Sequence, residues 1–287
     1  MTHTVGNLTA MEKLEALRKQ GGKARTTGLS DDVVQRFLES APDLAVAIDR
    51  AWDAFLALRE QFPDLMALDE LEQTCHAQES IVNFYGGELV NPYVALAASG
   101  PWIVTSKGAV IHDSGGYGML GQGHTPKLVL EAMGRPMVMA NVMTPHFSQV
   151  RLIRALKAEI GQSRGGCPFT GFVFMNSGSE SVTVAARVTD INAKTQTDPG
   201  GRHAGKKIRR LSLAGGFHGR TDRPASYSDS SIRKYEATMA TFRDRAPLLT
   251  VAVNDVAALE RAFAEADARG EFIEALFVEP VMGEGNP

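Results

Sequence analysis

Three short runs hold the residue types that could do chemistry. In the first, Asn176-Ser177-Gly178-Ser179-Glu180, small and hydroxyl-bearing residues stand between an apolar run at 172–175 and a run rich in Ala and Val. A strand that ends in such a turn and enters a helix presents unpaired backbone N–H groups and the positive end of the helix dipole. The ligand that suits them is a phosphate or a carboxylate. Glycine admits close approach of the anion, and the hydroxyls of Ser177 and Ser179 add donors. The same letters also read as a plain helix start in which a serine caps and Gly178 turns. The second run, Phe217-His218-Gly219-Arg220-Thr221, follows Gly215-Gly216. Its ring could stack on a planar heteroaromatic cofactor and its arginine could fork onto a carboxylate. Against that, Phe217 could be core, Arg220 could pair with a surface acid, and His218 reads as a hydrogen-bonded loop residue. In the third run, which opens Phe277-Val278-Glu279-Pro280 and continues Val281-Met282-Gly283-Glu284-Gly285, a carboxylate sits at the C-terminal edge of a strand. Open α/β sheets bind ligands there, although a solvated strand end and a glycine turn look the same.

These runs need a scaffold. Apolar residues at helical spacing (Val33, Val34, Phe37, Leu38; Leu44, Ile48, Trp52, Leu56; Leu65, Leu68, Leu71) predict a helical arm over 31–84, broken at Pro42 and Pro63. It packs on its own body or on a partner subunit. Val and Ile around Lys107-Gly108 predict a β-hairpin over 102–112. Helices follow at 127–133 and 149–160. From residue 170 on, strands at 172–175, 211–213, 248–253 and 273–278 alternate with helices at 179–193 and 256–268. That alternation predicts a mainly parallel sheet with helices on its faces, an α/β fold. The basic run Lys206-Lys207 with Arg209-Arg210 reads as a solvated strand edge.

The 287 residues are 44% hydrophobic and 22% charged with net charge -3, which favours neither nucleic acid nor an acidic membrane as partner. Cys75 and Cys167 form no metal-ligand or disulfide pattern, so no metal is expected and a reducing cytoplasm is the expected setting. No leader and no apolar stretch long enough to span a bilayer is found.

Taken jointly, in order and in matching strand-to-loop contexts, the three runs resemble class III pyridoxal-phosphate-dependent aminotransferases. The block from Gly115 to His124, Gly-Gly-Tyr-Gly-Met-Leu-Gly-Gln-Gly-His, resembles that family's glycine-rich entry segment, and the likeness covers roughly 83–287. It implies fold type I with an incomplete large domain: a helical extension at 1–82, a segment with the hairpin and entry loop at 83–135, and a partial cofactor-binding α/β domain at 136–287. Gly178 and Ser179 would bind the phosphate of pyridoxal 5'-phosphate through their amides, with Ser177 in the same cup. Phe217 would stack on the pyridine ring, with His218 and Glu279 close by. Tyr117 and Arg220 would face the substrate, Arg220 on its carboxylate, and Glu284 would act as a gate. Ser181 and Thr183 depart from the family pattern, which has alanine at the first and often an acid at the second.

The family's ring-protonating aspartate and Schiff-base lysine would both come after the last residue, so no catalytic residue is assigned. The resemblance thus implies a truncated transaminase acting on an amino donor and a 2-oxo acid, a homodimer in its complete form and inactive as it stands. An aminomutase, racemase or decarboxylase of the same fold, a non-catalytic fragment, or a pseudoenzyme whose helical arm mediates assembly, are the alternatives. A nucleotide binder is disfavoured by the lack of a Gly-x-x-x-x-Gly-Lys-Ser/Thr run.

Overall fold

Thr9 opens the first helix with a reciprocal cap: its hydroxyl accepts the N–H of Glu12 while the Glu12 carboxylate accepts the N–H of Thr9. This helix, α1 (Ala10–Lys19), precedes the predicted start of the arm, and it buries Leu14 and Leu17. The computed structural model describes residues 8–82, 90–114, 121–138 and 143–283. They divide into two units, Met1–Met139 and Ala140–Pro287.

In the first unit α2 (Asp31–Leu38), α3 (Pro42–Gln61), α4 (Pro63–Ala67) and α5 (Glu70–Gln78) follow α1. Pro42 and Pro63 each sit at the first turn, where the missing N–H has no intrahelical partner to lose. Leu44, Ala47, Ile48, Ala51 and Phe55 of α3 recur three or four residues apart and are buried. They face an antiparallel sheet of β1 (Ala95–Ser99), β2 (Trp102–Thr105) and β3 (Val110–His112), in that order. The arm therefore packs on its own hairpin. One core holds Leu14, Leu17, Val34, Phe55, Trp102, Val104 and Val110 together, each such side chain contributing about 1.5–3 kcal/mol when fully buried.

The turn between β2 and β3 needs glycine at 108. Its φ is +70°, and a Cβ there would lie 2.9 Å from the Leu14 carbonyl oxygen. Beside it Lys107 is buried, and its ammonium donates to the carbonyls of Gly21 (2.6 Å) and Leu68 (2.5 Å). Gly100 and His124 exchange backbone hydrogen bonds at 3.1 and 2.7 Å, which anchors the end of the Gly-His segment to the hairpin. Helix α6 (Lys127–Met133) lies where its periodicity predicts it.

The second unit opens with α7 (Phe147–Gly161) and α8 (Gly178–Thr197). Then come β4 (Lys207–Leu213), α9 (Asp222–Ala225), α10 (Asp229–Thr238), a single 3-10 turn, β5 (Leu249–Val251), α11 (Val256–Ala268) and β6 (Glu271–Phe277). The sheet order is β5-β4-β6 with both pairings parallel, as the alternation predicts. Leu211, Val251, Ala266 and Ile273 form its core.

Two expectations fail here. Residues 172–175 form no strand: Val173, Phe174 and Met175 are exposed, and no described strand pairs with them. A β-run is stable only against a neighbour that completes its ladder, so apolar letters alone do not make one. The basic run at 206–210 is no sheet edge either, because β4 is the central strand. Its charges are absorbed by neighbours: Arg209 pairs with Glu271 at 2.8 Å, and the Arg210 guanidinium donates to the carbonyls of Ser226 and Ala246.

Candidate functional site

The long helix α8 starts at Ser177, whose hydroxyl accepts the N–H of Glu180 at 3.2 Å. The Glu180 carboxylate turns back to accept the N–H of Asn176 at 2.9 Å. The next donors are left over. Among the described residues, the N–H groups of Gly178 and Ser179 make no hydrogen bond, and nothing lies within 4 Å of the point where a Cβ on Gly178 would be. So this end of α8 combines free donors, the positive end of a 20-residue helix and open space.

The Phe217-to-Thr221 loop leaves β4 and comes to the same place. The Arg220 N–H donates to the Ser179 hydroxyl at 3.2 Å, and the Thr183 and Thr221 hydroxyls meet at 3.3 Å. Thr183, one of the two departures from the family pattern, thus ties helix to loop, and it also donates to the Ser179 carbonyl. Gly219 has φ +122°, and a Cβ there would lie 2.4 Å from the Ser179 hydroxyl oxygen. Only glycine lets the two segments approach this closely. The Arg220 guanidinium carbon lies 5.4 Å from the centre of the Phe217 ring, a cation-π arrangement between two half-buried side chains.

Glu279 comes from the segment after β6. One carboxylate oxygen accepts the Phe217 N–H at 2.8 Å and the other accepts the Gly283 N–H at 3.1 Å. Gly216 fills the space alongside: a Cβ there would come within 3.2 Å of His218 Nε2 and 3.8 Å of the Glu279 carboxylate. His218 is buried, its backbone N–H donates to the Ser228 hydroxyl, and its Nε2 has no partner. Burial pulls the imidazole below its ordinary range, with the Glu279 carboxylate acting in the opposite sense, so the neutral ring is favoured.

Behind the loop, Phe277 touches the edge of His218 and stacks at 4.0 Å on Tyr227. The Tyr227 hydroxyl donates to the buried carboxylate of Glu274, which Arg223 also reaches at 3.3 Å. Burial, followed by the bond to Glu274, raises the Tyr227 phenol well above its usual value.

Of the residues singled out from sequence, Gly178, Ser179, Phe217, His218, Arg220 and Glu279 are linked through these contacts, with Ser177 capping the helix next to them. Tyr117 and Glu284 lie outside the described residues. Sequence reasoning passed over Ser228 and Asp229, which hold the loop from behind. The visible signal was a Ser-Asp pair just ahead of a helical run, a common helix start. No cluster of His, Cys, Asp or Glu suited to a metal occurs among the described residues, and no described helix is long and apolar enough to cross a membrane.

The model of the family described as aminotransferase class-III matches residues 86–286. The chain belongs to this family. Solved structures agree on the architecture. Ornithine aminotransferase from Toxoplasma gondii ME49 superposes with a TM-score of 0.58 at 19% identity, over 78% of this chain and 49% of that one. The Toxoplasma gondii enzyme crystallized with oxidized glutathione, a structure described as having partial occupancy of PLP at the active site, gives 0.60 at 18%, over 79% and 48%. The PMP-bound aminotransferase from Vibrio fluvialis gives 0.51 at 21%, over 74% and 49%. Identity this low shows the fold alone, which is fold type I of the class III aminotransferases. The chain spans about half the length of these solved structures.

Proposed function

We propose that this class III chain binds pyridoxal 5'-phosphate at the start of α8 and serves amino-group transfer between an amino donor and a 2-oxo acid. The observation that carries the reading is the pair of N–H groups at Gly178 and Ser179 with no partner among the described residues, with open space beside Gly178, where the Phe217 loop meets the helix. The residues fit the cofactor's chemistry. Two backbone donors and the helix dipole suit a phosphate, Phe217 offers a flat face for a pyridine ring, and the buried His218 Nε2, unpartnered among the described residues, is a polar atom on the same loop.

When bound, the cofactor supplies an electron sink for the amino acid α-carbon. The chain's own residues bind and orient. Gly178 and Ser179 would fix the phosphate, Phe217 would hold the ring plane, and Arg220 would offer its guanidinium to a substrate carboxylate. Glu279, which accepts the Phe217 N–H, sets the height of that platform and keeps its charge beside the ring site. Fold alone does not choose among reactions, so the identity of donor and acceptor rests on the site.

Calorimetric titration separates the phosphate contact from general affinity for aldehydes. Pyridoxal phosphate is expected to bind at least tenfold more tightly than pyridoxal, a difference of about 1.4 kcal/mol. Equal affinity for the two, or no binding of either, overturns the assignment. Amino-group transfer itself is read, in a complete enzyme that includes the Schiff-base lysine, as glutamate formed from an amino donor and 2-oxoglutarate, above the rate given by free pyridoxal phosphate; no glutamate above that rate overturns the transfer reading.

A further inference from the structure

The loop that carries Phe217 does not hold its own shape. Gly215 and Gly219 both have positive φ and Gly216 lies between them, so the segment from 215 to 219 has wide conformational freedom when unfolded. Something else must impose the observed path. Three consecutive residues at the start of α10 do so. The carboxylate of Asp229 accepts the N–H of Gly215 at 2.7 Å, the N–H of Ser230 donates to the Gly216 carbonyl at 3.2 Å, and the Ser228 hydroxyl accepts the N–H of His218 at 2.8 Å. Ser228 is fully buried, and its own proton is directed at the carbonyls of Pro224 (2.9 Å) and Gly219 (3.1 Å). On its other side the loop is held by Glu279 through the Phe217 N–H.

We infer that Ser228 and Asp229 are positioning residues for the ring platform: the start of α10 grips the glycine-rich loop at three successive points and thereby sets Phe217 and Arg220 over the end of α8. The inference rests on the reading of this site as a pyridoxal phosphate site and extends it to residues that act through the loop. A group of this kind affects the ligand that needs the loop, and leaves alone the one that needs only the helix end. Inorganic phosphate needs Gly178 and Ser179; pyridoxal phosphate needs the loop as well.

The experiment is calorimetric titration of the chain with pyridoxal phosphate and, separately, with inorganic phosphate, for the parent and for Asp229→Ala, Asp229→Asn and Ser228→Ala. Asp229→Ala is expected to weaken pyridoxal phosphate about tenfold, the effect of one charge-assisted hydrogen bond, with inorganic phosphate changed less than twofold. Asp229→Asn keeps an oxygen to accept from Gly215 and should restore most of the affinity. A role confined to the charge at the first turn of α10 predicts no rescue by asparagine. Because Ser228→Ala could unfold the region, amide exchange at Phe217, His218 and Gly219 is measured in every variant, and faster exchange there with the protection of α8 retained is the expected pattern. The inference is overturned if Asp229→Ala binds pyridoxal phosphate like the parent, if both ligands weaken in proportion, or if asparagine does not rescue. A parent chain that binds inorganic phosphate yet shows no preference for pyridoxal phosphate overturns the site reading instead, and with it the platform role.

Discussion

The N–H of Arg220 donates to the hydroxyl of Ser179 across 3.2 Å, and Gly219 beside it leaves no room for even a methyl group. Helix end and loop are therefore packed at backbone distance. Gly219→Ala places a Cβ 2.4 Å from the Ser179 hydroxyl oxygen on a residue with φ +122°. The strain of such a conformation is about 1–3 kcal/mol, so the variant should unfold at correspondingly lower urea and bind pyridoxal phosphate more weakly. An unchanged urea midpoint would show that the loop is not held this close in solution.

Glu279 uses both carboxylate oxygens on backbone donors, those of Phe217 and Gly283. In Glu279→Ala the half-buried Phe217 N–H loses its partner, at about 0.5–1.5 kcal/mol for a hydrogen bond that water can partly replace. Glutamine retains one accepting oxygen and should fall between alanine and the parent. Hydrogen exchange at the Phe217 amide is the direct readout, and equal protection in parent and alanine variant would contradict the assigned bond.

His218 makes stability depend on pH. Burial, partly offset by the Glu279 carboxylate, lowers the imidazole in the folded chain relative to the unfolded one, so protonation favours unfolding. Its contribution is intact above the unfolded value of about 6.5, is lost progressively as the pH falls below that, and levels off only below the folded value. Urea unfolding at pH 7.5 and 5.5 should therefore show a larger loss for the parent than for His218→Leu. Identical losses in the two proteins would remove His218 from the explanation.

Lys107 is the internal tie of the first unit. Its ammonium donates to the carbonyls of Gly21 and Leu68, with the Met66 carbonyl at 3.4 Å. Methionine, unbranched and one atom shorter, leaves those acceptors bare, so Lys107→Met should destabilise this unit by about 3 kcal/mol, the scale of charged hydrogen bonds lost in a buried place. Trp102, buried in the same core, offers a fluorescence signal for the unfolding curve. A shift below about 1 kcal/mol would mean that water already serves those carbonyls.

Local pattern was enough to place much of this molecule. The start of α8 at Ser177-Gly178, the full span of α11, and the breaks at Pro42 and Pro63 follow from capping groups, periodicity and proline geometry within a few residues, and such short-range effects are written in the order of the letters. The anion-suited turn and the Phe217 loop were legible for the same reason, each as a local motif. Their meeting was not, because the contact between Ser179 and Arg220 joins residues 41 positions apart. Nor was the fate of 172–175, whose apolar letters need a neighbouring strand, or the central place of β4, whose arginines are tolerated because Glu271 and two carbonyls receive them. The grip of Ser228 and Asp229 on the glycine loop belongs to the same class. Hydrogen bonds between distant segments depend on how the chain closes on itself, and three-dimensional packing alone decides which donors find which acceptors.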